Sequence, residues 1–387
     1  MRILFTGGGT GGHIYPIVSV AEKILKGNAQ TDLYYIGVPG PYEQLLASRG
    51  IAVSRIASAK IRQSDLLRNI IDIPFFFISI AQAFWRVFWI MPDVVFSKGG
   101  PGALPVVLAC AFYRIPIIIH ESDSVAGTTN RISGRYASRI AIAFATAKDS
   151  FVGSITNEFK RAAAEKKIAL IGNPIRDLFF TDVDAGDRAA AKKVLDFDPQ
   201  KKLILIIGGS QGSVRLNTFF MGIVEDLLNK NIQVFHQVGV QNFSTVQAEL
   251  KTVMQKYSET YRNAYRIVPY FDEHIRDAYL AADVVVSRAG SGSIFEIAAM
   301  GKPSILVPLP ESARNHQTTN AYEYAMTGAA ITIEEVNLTR NIFFTQLDKL
   351  FADEQTIASM EAAARSFARP DAAQVLAEEV VRLGRRG

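Results

Sequence analysis

Residues 283–299 read DVVVSRAGSGSIFEIAA. The apolar, β-branched run 284–286 ends in a Gly-rich turn, and residues 293–299 have the composition of a helix with Glu296 in its first turns. A strand, a tight loop and a helix start in succession aim free backbone N–H groups and the positive end of a helix dipole at one point, which suits a phosphate. Glu296 would repel phosphate but can accept two hydrogen bonds from a sugar diol. Together they fit a nucleotide with a ribose and a diphosphate. Such junctions also occur in α/β proteins for structural reasons alone, and repetition separates the two readings. DVVFSKGGPG at 93–102 repeats DVVVSRAGSG at 283–292, and ILFTGGGTGG at 3–12 has its counterpart in ILIIGGSQGS at 204–213. Two landmarks recur in the same order in both halves.

The chain of 387 residues is long enough for two ordinary domains, each with a core of its own. About half of its residues are apolar and a fifth charged, the balance of a folded soluble protein. A net charge of +5 without a Lys/Arg block or an RNA-type aromatic motif disfavours nucleic acid and favours an anionic lipid surface or a phosphorylated substrate. The single cysteine, Cys110, excludes an internal disulfide and a Cys-based zinc cluster, and its apolar surroundings read as core. Only Ile3, Leu4 and Phe5, with Thr6, separate Arg2 from the glycines, which reads as a first strand rather than a signal peptide.

Strands are expected at 1–6, 32–36, 115–119 and 139–143, with a helix at 14–25 that has Pro16 near its start, and the first half is expected to end at 168–173 with Pro174. After a polar connection at 182–202 the pattern restarts, with strands at 203–207, 232–236, 265–268, 284–286 and 304–307. This alternation predicts two doubly wound parallel sheets, with ligands at the carboxyl ends of the strands where the halves face across a cleft. The domains expected are 1–174 and 175–369, with the terminal stretch 370–387 packing back on the first. Residues 75–91 are unusual, because only Ser79, Gln82 and Arg86 are polar and their spacing makes one narrow stripe on a helix that Pro74 would start. The segment is too short and too interrupted to span a membrane. It is either well buried or an interfacial surface presenting Phe75, Phe84, Trp85, Phe88 and Trp89, with Lys60, Arg62 and Arg68 upstream.

Gly7, Gly9 and Gly12 fit the dinucleotide fingerprint formally, but the second strand runs into Gly37, Val38 and Pro39 with no acid for an adenosine ribose, so NAD is disfavoured. His13 follows the glycines at a helix start, where a neutral imidazole can take a proton from a sugar hydroxyl. Glu121, beside His120 at a strand end, is the second catalytic candidate. Arg176 can stack on a base or reach a phosphate, Ser210 can donate to the same diphosphate, and Gln317 can both donate and accept to sugar hydroxyls. Asp182-Val183-Asp184 is formally a DxD but sits in a polar connection, so no metal site is expected.

TGGGTGGHIYP (6–16), SKGGPGALP (97–105), HESDSVAGTTNR (120–131), GNPIR (172–176), GGSQGS (208–213), SRAGSGSIFE (287–296) and PLPESARNHQTTNA (308–321), in this order, closely resemble glycosyltransferase family 28. The resemblance spans Thr6 to about Ala330. It implies the GT-B fold, no cofactor, and inverting, metal-independent transfer of N-acetylglucosamine from UDP-N-acetylglucosamine to lipid I, the muramoyl-pentapeptide on undecaprenyl diphosphate. The product would be lipid II, made at the cytoplasmic face of the bacterial membrane beside the cell-wall synthesis machinery. It also implies that Thr10, Gly11 and Gly12 meet the acceptor with His13 as base, and that Asp123 and Asn130 lie at the sugar. Arg176, Ser210, Ser291, Gly292, Ser293, Glu296 and Gln317 would hold the UDP sugar, with Phe271 against the uracil. The family's HEQN stands here as HESD, which puts an acid that accepts but cannot donate at position 123. The alternatives are a related enzyme glycosylating another lipid, or a silent UDP-sugar-binding protein.

Overall fold

The computed structural model describes residues 1–57, 66–180, 187–209, 212–258, 261, 263–271 and 274–385. They form two compact units, Met1–Arg176 with Arg369–Gly387, and Asp177–Ala368.

The first unit holds seven parallel strands: β1 (Arg2–Thr6), β2 (Asp32–Gly37), β3 (Ile51–Arg55), β4 (Val94–Ser97), β5 (Ile117–Glu121), β6 (Arg139–Ile142) and β7 (Ile168–Leu170). Their order is β3-β2-β1-β4-β5-β6-β7. A parallel sheet covered by helices on both faces needs apolar residues at consecutive rather than alternate positions. ILF in β1 satisfies this, since Ile3 and Phe5 join the layer of helices Gly11–Gly27 and Ala372–Gly384, while Leu4 joins that of Ala103–Phe112. The terminal helix thus belongs to the first unit's core.

The second unit repeats the plan with six parallel strands: β8 (Leu203–Ile207), β9 (Gln233–Gln237), β10 (Tyr265–Val268), β11 (Val284–Ser287), β12 (Ser304–Leu306) and β13 (Ala330–Thr332). Their order, β10-β9-β8-β11-β12-β13, matches that of the first six strands. The repeated Asp of the two DVV runs has the same task in each half. Asp93 Oδ2 accepts from Arg2 N at 2.7 Å and Asp283 Oδ2 accepts from Leu203 N at 2.8 Å, so each ties the start of the fourth strand to the first. The residue after that strand closes the other end, Lys98 N donating to Thr6 O and Arg288 N to Ile207 O.

Several boundaries differ from expectation. The first helix begins at Gly11, three residues early, because Thr10 O accepts from both His13 N and Ile14 N. Pro74 does not start its helix but lies inside Leu66–Ile90. β3 and β13 are edge strands, five and three residues long with mixed burial, and so lack the apolar run that marks a central strand.

Candidate functional site

The first Gly-rich loop is pressed against the turn after β2. A Cβ on Gly9 would stand 2.7 Å from Val38 O and 2.8 Å from Gly40 N, and Gly40 itself has φ +57°. Two backbones meeting at this distance require glycine on both sides. Tyr35 donates from below to Gly7 O at 2.8 Å. Backbone therefore fills the position after β2 where a dinucleotide fingerprint would keep its ribose.

His13 sits in the first turn of Gly11–Gly27, half-buried, with Nδ1 2.7 Å from Thr10 Oγ1. Its ring packs on Gly8 and Gly100, where a Cβ would come within 3.1 Å of Nδ1 and 2.9 Å of Nε2 respectively. Burial, then the charge of Lys98, push its pKa down to about 4 against the opposing pull of Asp123. The imidazole is therefore neutral at ordinary pH, the form a base requires.

Glu121 and His120 hold the loop. Glu121 Oε1 accepts from Asp123 N at 3.0 Å, and Oε2 accepts from Gly127 N at 3.1 Å and Asn130 Nδ2 at 3.0 Å. Burial and nearby Asp123 raise its pKa. With both oxygens occupied, this carboxyl organises the 121–130 turn in the present geometry. Asn130 also donates to His120 O at 3.1 Å, while its Oδ1 is buried without a partner beside Gly99. Arg176 stacks over the Tyr15 ring with Cζ 5.0 Å from the centroid. Thr10, Gly11, Gly12, His13, Asp123 and Asn130 all lie on loops and a helix start at the carboxyl ends of β1 and β5.

In the second unit the helix Ser291–Ala299 begins at Gly290, with no acid in its first turn. Ile294 N to Gly290 O, at 3.1 Å, is its first turn-closing bond, so the N–H groups of Ser291, Gly292 and Ser293 precede the ladder. A Cβ on Gly290 or Gly292 would meet nothing within 4 Å, which leaves this end open. Glu296 lies one turn further in, and Tyr279 donates to its Oε2 at 3.2 Å. Gln317 Oε1 accepts from Leu309 N at 3.0 Å, leaving its amide NH2 to donate. Arg288, in the repeat but assigned no role from sequence, is buried: its guanidinium donates to Ser213 Oγ at 2.7 and 3.1 Å and to the carbonyls of Val307 and Pro308, and pairs with Glu335.

Two expectations change. Phe271 is only 4% exposed and packs edge-on against Phe235, with centroids 4.7 Å apart. In this arrangement the ring supports its loop and offers no face to a base. Phe84 is half-buried against Phe112 and Tyr113, so it packs inward rather than facing out with its neighbours. Ser210, the DxD, Lys60 and Arg62 lie outside the described residues, as does the side chain of Arg68.

The helix Leu66–Ile90 is turned inside out relative to a soluble surface helix. Ser79, Ala83 and Val87 are buried, and Gln82 accepts inward from Ala57 N at 2.7 Å. Phe75, Phe77, Ile78, Trp85, Phe88 and Trp89 are exposed, the two tryptophans at 66% and 67%, with Phe112 beside them on the next helix. The described part of no helix is long and apolar enough to cross a membrane.

The comparisons with known proteins agree with this fold. The family models for the glycosyltransferase family 28 N-terminal and C-terminal domains match residues 3–142 and 203–376. A UDP-N-acetylglucosamine–N-acetylmuramyl-(pentapeptide) pyrophosphoryl-undecaprenol N-acetylglucosamine transferase of Halalkalibacterium halodurans is 32% identical, over 97% of this chain and 98% of its own. A Bacillus cereus protein of the same name, numbered 1, is 32% identical over 99% of both chains. The crystal structure of Acinetobacter baumannii MurG superposes with a TM-score of 0.73 at 25% identity, covering 98% of this chain and 99% of that one. With both of its domains matched and its whole length shared with these relatives, the chain belongs to glycosyltransferase family 28.

Proposed function

We propose that the protein transfers N-acetylglucosamine from UDP-N-acetylglucosamine to the 4-hydroxyl of the muramoyl-pentapeptide on undecaprenyl diphosphate, making lipid II. The observation that carries this is full-length identity to relatives named for that reaction. The acceptor oxygen attacks the anomeric carbon from the side opposite UDP, the bond to the β-phosphate oxygen breaks, and UDP leaves with the electron pair. Configuration is inverted in this single displacement.

Thr10 Oγ1 engages His13 Nδ1, and in the tautomer in which Nδ1–H donates to that hydroxyl the lone pair lies on Nε2 and receives the acceptor's proton. Thr10, Gly11 and Gly12 receive the acceptor, Asp123 and Asn130 its sugar. In the second unit Ser291, Gly292 and Ser293 present N–H groups to the donor diphosphate and stabilise the charge that grows on it, so the reading invokes no metal. Glu296, oriented by Tyr279, accepts from the ribose diol, and Gln317 donates to the sugar. Arg176 and Ser210 complete the donor contacts. The outward aromatic face of Leu66–Ile90 lies in the interface of the cytoplasmic leaflet, where amphipathic indole rings are at home, and the cell-wall machinery assembles around that membrane position.

The test is a transfer assay with labelled UDP-N-acetylglucosamine and a short-chain lipid I analogue, with EDTA present and UDP-glucose as competitor. Metal-independent transfer from the N-acetylglucosamine donor is expected. Tight UDP binding without transfer would move the reading to another lipid acceptor or to a binding protein.

A further inference from the structure

Lys98 is 2% exposed, yet among the described residues nothing bonded to its Nζ carries a negative charge. Its three ammonium donors have three acceptors: His120 Nδ1 at 2.7 Å, Ser122 Oγ, and Asn173 Oδ1 at 3.5 Å. These come from the end of β5, the turn after it, and the segment after β7. His120 passes the connection on, with Nε2 2.8 Å from Gly172 O. A carbonyl only accepts, so Nε2 carries the proton and Nδ1 the lone pair that receives Lys98. The histidine is thereby fixed neutral, in keeping with a pKa that burial lowers well below the ordinary value.

We propose that Lys98 is a positioning residue of the first unit: its buried ammonium fixes the turn after β5 and, from beneath the first Gly-rich loop, keeps His13 unprotonated and ready to accept a proton. The inference rests on the reading of His13 as the base. The titratable groups facing Lys98 are His13 on its helix, His120 and Glu121 on β5, and Asp123 in the following turn. A Cβ built on Gly7 would lie 3.5 Å from Lys98 Cβ and 3.6 Å from His13 Cβ, so the lysine and the histidine flank the same glycine of the first loop. Protonating His13 would add a second positive charge near a buried one that contacts no carboxylate among the described residues, and the low local dielectric makes that costly. Asp123 acts in the opposite sense and limits the effect.

The experiment is an NMR titration of the full chain labelled with 15N-histidine, His13 being assigned through His13→Gln, run beside a pH profile of kcat/KM. Wild type is compared with Lys98→Met, Lys98→Gln and Lys98→Arg. Removing the charge should raise the His13 midpoint by on the order of one pH unit, the scale of a nearby like charge. The acid limb of kcat/KM should move up with it, Lys98→Arg should keep the wild-type midpoint, and UDP affinity should hold. An unmoved His13 midpoint in the neutral variants overturns the proposal. Lys98→Gln decides the matter if Lys98→Met does not fold, since its amide can still donate to His120. Because the midpoint is read without turnover, an active His13→Ala variant would sink the base reading and still leave the coupling to Lys98 measured.

Discussion

Lys98 and Arg288 occupy the same place in their two halves, one residue past the fourth strand of sheets with the same strand order. Each is buried, and each donates its backbone N–H to the first strand. Their heads have opposite surroundings. Arg288 is paired with Glu335 and spreads its donors over Ser213 Oγ and two carbonyls, so its charge is spent on holding loops in place. Among the described residues Lys98 Nζ bonds only neutral atoms, and burial lowers its pKa to about 7 while the nearby charges of Glu121 and Asp123 hold it up. One backbone plan carries a scaffold cation in the half read as binding the donor and a field-generating cation in the half read as taking a proton.

The largest expected effect tests the proton side of that contrast. His13→Ala should lower kcat by roughly 10²–10⁴-fold, the range for a positioned base, with donor KM and UDP affinity little changed. Steady-state kinetics and calorimetry check it, and a variant within tenfold of wild type would break the assignment. The scaffold side is sharpened by Arg288→Met, which removes one of the two cations paired with Glu335, Arg215 being the other, and takes the donor from Ser213 Oγ and two carbonyls; it should destabilise the second unit by about 1–3 kcal/mol in urea unfolding. Lys98→Met strands no contacting carboxylate, so its cost should be far smaller. Equal losses from the two substitutions would erase the distinction.

An effect of similar size is expected at the donor. Glu296→Ala should weaken UDP binding by roughly 1.5–3 kcal/mol, as for hydrogen bonds to a charged group, and an unchanged calorimetric affinity would exclude the ribose role. The smallest concerns acid stability. Burial lowers the pKa of His13 to about 4, of His120 well below the usual value, and of His236 to about 3. As pH falls below about 6.5 the unfolded chain protonates first, so stability present above that pH is lost at roughly 1.4 kcal/mol per pH unit for each histidine. Two lie in the first unit and one in the second, so the first should melt away faster on acidification in calorimetry between about pH 6.5 and 4.5. The reverse order would show that other groups dominate.

The fold was legible because its repeated residues have repeated tasks. Asp93 and Asp283, and the glycines after β1 and β4, are required by close backbone approach and by strand-to-strand ties that sequence spacing alone implies. β3 and β13 were not legible, being short edge strands with little apolar character. At the site, the positions of His13 at a helix start and of Glu296 on the helix after the second Gly-rich loop were legible, because the pattern marks both loop-to-helix junctions. The roles of Lys98, Arg288, Phe271 and Phe84 could not, since each depends on which side chains from distant segments surround it. The narrow polar stripe on residues 75–91 was visible, but only burial and hydrogen bonding show that Ser79 and Gln82 in it point inward.

The inverted helix has one further consequence. The chain contains two tryptophans, Trp85 and Trp89, and both stand on that aromatic face with ring centroids 5.7 Å apart. Its intrinsic indole emission therefore reports on this one patch and on nothing else in the molecule. A blue shift on adding anionic vesicles would register the face leaving water, without any label and without disturbing either half of the enzyme.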